Sequence, residues 1–421
     1  MNTEDNVRLT QTGKGTPMGE LLRRYWHPIA AATEFDDKTT KQVRLLGEDL
    51  VLYKDRSGAY GMLGLYCPHR RADLSYGFVE ECGLRCSYHG WAFEEGGNCI
   101  SAPFDDTISG TTRFHEQIKQ VAYPVKELAG LLFAYLGPLP APEVPVWETF
   151  EWENGFAQIV LADLPCNWLQ SQENSIDRVH FEWLHNNWSA PLAGENDFYA
   201  PTHMKIGFEE WEHGFGYRRI LENTDESNDG WAFPRMCIMP NLFCPGSGYF
   251  EYQVPVDDAH TLHIVWNWDP VPVEQRPYRQ DRIPHWVAPI TDPLRRRWIT
   301  SHVVNQDTVA WVGQGALTDR ENEHLGRSDI GVVMLRNRLG RDLAAIAEGR
   351  DPEGVIRNPE AALIRWPFAP WRERSLRDFT REDFLDQHAR FSRRAPQEGY
   401  FGFYAGQPKE VQKAFSEAFG L

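Results

Sequence analysis

The stretch CPHRRADLSYGFVEECGLRCSYHGW, Cys67 to Trp91, constrains this chain more than any other. It holds two mixed pairs, Cys67-x-His69 and Cys86-x-x-His89, with sixteen residues between them. Two thiolates and two imidazoles hold either a tetrahedral zinc ion or an iron–sulfur cluster. A zinc finger brings its cysteines roughly two to four residues apart and pairs its histidines separately. Here each short loop offers one of each. Gly77, Gly83, Gly90 and the turn at Pro68 let the two loop tips approach each other.

One-and-one loops suit a dinuclear cluster, with both cysteines on one iron and both histidines on the other. That is the Rieske [2Fe–2S] arrangement, in which histidine ligation raises the potential above that of all-cysteine clusters. Zinc remains the rival reading of the four residues. Cys82 and Cys99 do not flank the ligands and are expected to be packing residues. Arg70 and Arg71 follow His69, where they dock an acidic electron donor, donate hydrogen bonds near the cluster, or are ordinary solvated charges.

A second constellation lies in QENSIDRVHFEWLH, with Asp177, His180 and His185. Two imidazoles and one carboxylate make the facial triad of a non-heme Fe(II) site, which leaves coordination positions open for O₂. Asp177 and His180 are spaced to share a helix face. His185 falls about 140° round an ideal helix from His180, so the two need a bend or a helix end to meet on one metal. Asn186 and Asn187 suit such an end. The carboxylate is expected to be Asp307, alone in the apolar and amide-rich NQDTVAWVGQG, with Asp319 and Glu321 as rivals.

The rest of the chain supports two units. Its 421 residues and 42% hydrophobic content exceed the needs of one small domain. TPMGELLRRYWHPIA predicts a short helix capped by Thr16, started by Pro17 and carrying Leu21, Leu22 and Trp26 on one face. Residues 42–140 read as a strand meander with turns at KDRSG and EEGGN, closing on the buried strand LAGLLFAYLG and the proline-rich GPLPAPEVP. Aromatic and polar residues alternating from Phe208 to Trp268 predict an antiparallel sheet, and SHVVNQDTVAWVGQGAL and GVVMLRNRLGRDLAAIAEG predict helices. Residues 1–41 are then a helical lead, 42–140 the cluster domain and 141–421 the catalytic domain.

A net charge of -17 disfavours nucleic acid or an anionic membrane as the main partner. The polar start MNTEDNVRLTQTGKG is no secretory signal, and the longest apolar run is too short to span a bilayer; a cytoplasmic protein is expected. Seven scattered cysteines are no disulfide framework. The glycines of GKGTPMG follow no strand and lack dinucleotide spacing, so a reductase is expected on a partner chain.

With both sites in view, TPMGELLRRYWHP, CPHRRADLSYG, CGLRCSYHGW and QGALTDRENEHLGRSDIG resemble the oxygenase components of Rieske non-heme iron aromatic oxygenases, in the phthalate-dioxygenase-type branch. The resemblance covers nearly the whole chain. It implies an α+β protein: an N-terminal all-β Rieske domain and a C-terminal START/Bet v 1-like helix-grip domain. It implies a [2Fe–2S] cluster on Cys67, His69, Cys86 and His89, and Fe(II) on His180, His185 and Asp307. It gives Asp177 a bridging role, from a cluster histidine of one subunit to His180 of the next, and sets Asn174 near the iron. It implies homotrimers or stacked hexamers, a separate reductase or ferredoxin donor, and a small aromatic substrate with O₂. One departure is Arg71, where many members have glycine. Within this branch O-demethylation of a methoxylated aromatic acid is the expected reaction, and cis-dihydroxylation of a phthalate-like acid is the alternative. A Rieske electron carrier and a zinc-stabilised ligand-binding module are the readings outside the oxygenases. Trp183, Trp188, Phe208, Trp211, Met239, Asn241, Phe243 and Trp266 are candidates for an aromatic pocket, and Arg218, Arg219 and Arg235 for a carboxylate anchor.

Overall fold

The structure is a computed structural model that describes residues 1–108, 114–192, 194, 200–246, 248–367, 376–392 and 404–421. The lead opens with helix Thr3–Thr10 and the short helix Pro17–Leu22. The Thr16 hydroxyl accepts the Gly19 N–H and Pro17 occupies the first turn, as its fixed φ favours. Leu21 and Leu22 are fully buried, but Trp26 is not on this helix. It begins strand Trp26–Ala31, which pairs antiparallel with Leu131–Tyr135. The stretch WHPIAA, which is not rich in strand-forming residues, is taken up by a strand partner about a hundred residues away, a contact that local periodicity does not carry.

The cluster-bearing part is all β. One four-stranded sheet joins Thr40–Leu45, Glu48–Lys54, Tyr60–Gly64 and Ala122–Tyr123; a second joins Phe78–Val79, Leu84–Arg85, Ala92–Phe93 and Cys99–Ser101. Strand Glu48–Lys54 is buried on both faces. Its alternate side chains Leu50 and Leu52 enter the main core, while Val51 and Tyr53 enter a separate core with Cys67, Cys86 and Trp91. This two-faced strand ties the cluster loops to the rest of the molecule. Cys99 packs in that second core; Cys82 is exposed at a hairpin turn, against expectation.

The C-terminal part is built on an eight-stranded sheet. Seven strands run antiparallel in the order His203–Trp211, Gly214–Leu221, Arg235–Ile238, Leu242–Gly246, Tyr249–Asp257, His260–Pro270, Gly155–Leu164, and His285–Val287 adds in parallel at the edge. Helix Ile330–Ala347 lays Leu335, Leu339 and Leu343 into the main core at four-residue intervals. With the all-β first part this is the α+β helix-grip arrangement. Helix Trp168–Asn174 packs on strand Tyr249–Asp257 and on helix Val303–Gly313.

The two cluster loops share one backbone plan. The Cys67 N–H donates to Ala72 O at 2.8 Å, and the Cys67 carbonyl accepts the Arg71 N–H at 2.9 Å. The Cys86 N–H donates to Trp91 O at 2.8 Å, and its carbonyl accepts the Gly90 N–H at 3.1 Å. In both loops the residue four past the cysteine is left-handed, Arg71 at φ 59° and Gly90 at φ 77°. A Cβ on Gly90 would come within 3.3 Å of Pro103 Cγ. Arg71 has room: its guanidinium lies 5.0 Å from the Tyr66 ring centroid at the surface. Left-handed geometry costs a residue with a Cβ about 1–2 kcal/mol, and an exposed cation–π contact returns about half of that. Gly90→Ala is therefore expected to lower stability by about 1–2 kcal/mol, while Arg71→Gly leaves it within about 1 kcal/mol. Denaturant titration of both variants checks this; equal losses would contradict the steric argument.

Candidate metal centres

At the loop tips the thiols point in and the imidazoles point out. Cys67 and Cys86 are 1% and 2% exposed, whereas His69 and His89 are exposed. The two imidazole centroids lie 4.5 Å apart. Trp91 stacks flat on His69 at 4.4 Å and Tyr88 leans on His89 at 3.8 Å, so both rings are braced. Burial pushes the Cys67 thiol up to about 12, and the neighbouring Cys86 adds to the effect. Such a thiol becomes a thiolate only where metal charge offsets the burial, so the donor set fits a metal group. Among the described residues, the one group of three or more His, Cys, Asp or Glu whose ligand atoms lie within 4.8 Å of one another is His180, His185 and Asp307. No three of the four loop residues meet that spacing, which is compatible with ligands shared between two irons.

The second centre depends on a change of helix type. Helix Trp168–Asn174 ends at Ser175. A π turn then runs Phe181–Asn186, with His180 as its N-cap, and α-helix Asn187–Leu192 follows. Asn186 and Asn187 are thus inside a continuing helix and do not end it. The π turn closes its hydrogen bonds at i+5 and so brings residue 185 back toward the side of residue 180. It supplies the bend that the histidine spacing demanded. Asp177 shares no helix with His180, contrary to expectation. It lies in the break, where one carboxylate oxygen accepts the Val179 N–H at 2.9 Å and the other lies 3.5 Å from His180 Nδ1.

Asp307 comes from helix Val303–Gly313. Its Oδ1 lies 3.3 Å from His185 Nε2 and 3.5 Å from His180 Nε2, and makes no hydrogen bond among the described residues although it is buried. Ligand atoms roughly 2.1 Å from a shared ion and at right angles stand about 3 Å apart, so the spacing fits one metal. Burial pushes the Asp307 carboxyl up, but His185 and His180 outweigh it and hold the group below its ordinary range. Burial likewise opposes charge on His185, and Asp307 outweighs that and raises it. A buried anion between two imidazoles is the electrostatic form of an iron site.

Gln306, which sequence reading passed over, orients His185. It is fully buried, its amide N–H donates to Thr300 O at 2.9 Å, and its carbonyl oxygen lies 2.9 Å from His185 Nδ1. Nδ1 therefore donates and Nε2 is left as the free ligand nitrogen. The rival acids are engaged elsewhere: Asp319 with Asn322 and Glu321 with the Thr3 hydroxyl. Asn174 ends its helix with its carbonyl accepting the Asp177 N–H at 3.0 Å; among the described residues its side chain makes no hydrogen bond. Of the pocket candidates, Trp183 and Trp188 are exposed, Met239 and Trp266 are core, and Asn241 spans strands by donating to Gln253 O. Phe208, Trp211 and Phe243 pack half-buried against that core. Arg218 is spent on Trp231 O and Glu209.

A thiolate–imidazole cluster module followed by a helix-grip domain with a two-histidine, one-carboxylate site defines an oxygen-activating iron protein of two centres. A Rieske [2Fe–2S] domain family matches residues 25–120. The chain is 50% identical to the 5,5'-dehydrodivanillate O-demethylase oxygenase subunit of Sphingobium sp. (strain NBRC 103272 / SYK-6), over 99% of this chain and 97% of that one. It is 34% identical to the phenoxybenzoate dioxygenase subunit alpha of Ectopseudomonas oleovorans, over 85% and 89%. A solved structure of Pseudomonas putida CBB5 NdmA with caffeine superposes with a TM-score of 0.57 at 20% identity, covering 78% of this chain and 93% of that one, a likeness of fold. The chain belongs to the oxygenase (alpha) subunit family of Rieske non-heme iron oxygenases. It is an oxygen-incorporating oxidoreductase whose cofactors are a Rieske cluster and a mononuclear iron, and which takes electrons from a separate donor. Among the described residues no helix is long and apolar enough to cross a membrane.

Because the two ligand sets lie on separate elements, they are separable by mutation. His180→Ala is expected to lower iron from three to two per chain, keep both acid-labile sulfides and the visible cluster spectrum, and abolish turnover. Metal analysis beside absorption spectroscopy checks it. A bleached cluster with the third iron retained would contradict the assignment.

Proposed function

We propose that this chain removes a methyl group from a methoxylated, lignin-type aromatic acid. The observation that carries the reading is the 50% identity across 99% of the chain to a dehydrodivanillate O-demethylase oxygenase subunit. Cys67, His69, Cys86 and His89 hold the cluster, and His180, His185 and Asp307 hold the iron. When bound, these groups store electrons and supply the position at which O₂ is reduced beside the substrate. The balance is methoxyarene plus O₂, two electrons and two protons, giving phenol, formaldehyde and water. The chain's own part is to orient the histidines through Gln306 and Asp177, to keep Asp307 ionised, and to hold the ring against the site. The alternative, cis-dihydroxylation of a phthalate-like acid, uses the same site and differs in product.

The division at residues 42 and 141 belongs to this reading, with strand Trp26–Ala31 joining the lead to the cluster domain. So do Asn174 near the iron, a homotrimer, and a ferredoxin-type centre on the reductase. The test is turnover of the iron-loaded protein with a reductase, NADH and dehydrodivanillate. Formaldehyde is expected in step with O₂ uptake, from protein holding three irons and two sulfides per chain. A cis-diol without formaldehyde would replace the reaction, and stoichiometric zinc without sulfide would remove the class.

Asp177 is given the electron path between subunits. Its side chain keeps 29% exposure while one oxygen stands 3.5 Å from His180 Nδ1, so a group from outside can reach the other face of the carboxylate. A cluster histidine of a neighbouring copy, exposed as His69 and His89 are, suits that place. Asp177→Asn keeps the size and loses the charge and one acceptor. It is expected to retain both metals and the oligomer, with the cluster reduced normally and reoxidised by substrate and O₂ at least about a hundredfold more slowly. Stopped-flow reoxidation decides this; near wild-type rates at full iron content would return Asp177 to a surface charge.

A further inference from the structure

Phe181 follows the first iron-site histidine, and its ring meets His185 edge-on at 5.0 Å. Three guanidinium groups surround the same ring. Arg235 lies 3.9 Å from its centroid, Arg178 5.0 Å and Arg219 5.6 Å. They arrive from three places: Arg178 from the break before the π turn, Arg219 from strand Gly214–Leu221, and Arg235 from the start of strand Arg235–Ile238.

One carboxylate answers them among the described residues. Glu182, 1% exposed, pairs closely with Arg219 and stands 3.9 Å from Arg178, while His203 Nε2 also lies 2.9 Å from it. Arg178 is 2% exposed, yet among the described residues its Nη1 has no hydrogen-bond partner, nor has Arg219 Nε. Arg235 makes no side-chain hydrogen bond or ion pair among the described residues; its guanidinium lies against the Phe181 ring. Burial, with the Arg235 charge beside it, pulls the Arg219 guanidinium down to about 9. Contact with a ring face offsets less than the loss of water costs a guanidinium. In a chain of net charge -17, this is a local inversion of sign, with donors left over. Such a cluster is completed by an anion.

We propose that Arg235, with Arg178 and Arg219 behind it, is the seat of the substrate's carboxylate, and that Phe181 is the platform between this anchor and the iron ligands. This rests on the reading of the chain as an oxygenase of aromatic acids. The planar fork of Arg235 suits a carboxylate in two parallel hydrogen bonds, which a lysine does not provide. An arene so anchored lies along Phe181, with its far side turned toward His180, His185 and Asp307. Glu182 neutralises one cation of the three, so the site accepts an anion and disfavours a neutral ester.

Equilibrium binding to the full-length, iron-loaded protein, without reductase so that nothing turns over, tests this. The probes are dehydrodivanillate and 4-methoxybenzoate, each against its methyl ester. The wild type is expected to bind the acids at least about tenfold more tightly than the esters. Arg235→Gln should lose most of that preference through weaker acid binding, with ester affinity within about twofold and iron and cluster spectrum unchanged. Arg235→Lys, which keeps the charge and loses the fork, should fall between, and it decides the matter if the glutamine variant does not fold. Acids that bind no better than esters to the wild type, or a preference unchanged in either variant, overturn the anchor. The two readings fail separately. Acid-selective binding without formaldehyde release sinks O-demethylation and keeps the anchor; formaldehyde released alike from acid and ester does the reverse.

Discussion

A single carboxylate oxygen, Asp307 Oδ1, is buried between two imidazoles and makes no hydrogen bond among the described residues. An ionised oxygen in that position is tolerable only where positive charge meets it. Much of the surrounding construction serves to bring that charge in. Helix Val303–Gly313 delivers the acid from one side. On the other, helix Trp168–Asn174 is cut short, and a π turn replaces the α-helical path so that both rings face the same point. The two imidazoles are then held by unlike partners. His185 is held by a sealed neutral amide, Gln306, whereas His180 Nδ1 stands 3.5 Å from a partly exposed carboxylate, Asp177, with no hydrogen bond among the described residues. One ligand therefore faces the interior and the other faces outward through an acid, which gives the site a direction.

The cluster module has a direction too. Its thiols are buried and its imidazoles exposed, on two loops that repeat one hydrogen-bonding plan. The thiolate side is anchored in a core that strand Glu48–Lys54 shares with the main one, through Val51 and Tyr53 on one face and Leu50 and Leu52 on the other. The imidazole side is free to meet another surface. The cluster module thus turns its histidines outward, and the second site turns the partly exposed Asp177 outward.

What the sequence made readable follows from how local each feature is. The loop residues form contiguous short motifs, so the cluster type was legible from their kinds and spacing. The need for a bend between His180 and His185 followed from helix geometry alone. That a π turn supplies it, and that the chain stays helical through Asn187, depends on packing against a helix more than a hundred residues on. Asp307 stood out as a lone acid in an apolar stretch, but Gln306 beside it carries no signal until His185 is in place. Trp26 moved from helix to strand because its partner is Leu131–Tyr135. Arg218 and Arg219 are adjacent on one strand, whose side chains alternate in direction. The register of the sheet decides which faces Phe181, and periodicity carries no sign of it.

Arg178, His180, Phe181, Glu182 and His185 fall within eight consecutive residues, across the helix break and the π turn. The arginine cluster and the iron ligands are thus parts of one short segment, braced by two strands through Arg219 and Arg235 and by one helix through Asp307. A bound anion and a bound metal would be referenced to the same turn of backbone. The distance between them is then set by the width of the Phe181 ring and by where its strand holds Arg235, more than by how domains close. Substituents at a fixed reach from the acid group come to the iron, and others do not. Changes to the sheet that shift Arg235 along its strand would move the anchor relative to the metal without touching either ligand set. By that route members of one fold and one metal chemistry can act at different positions of an aromatic acid.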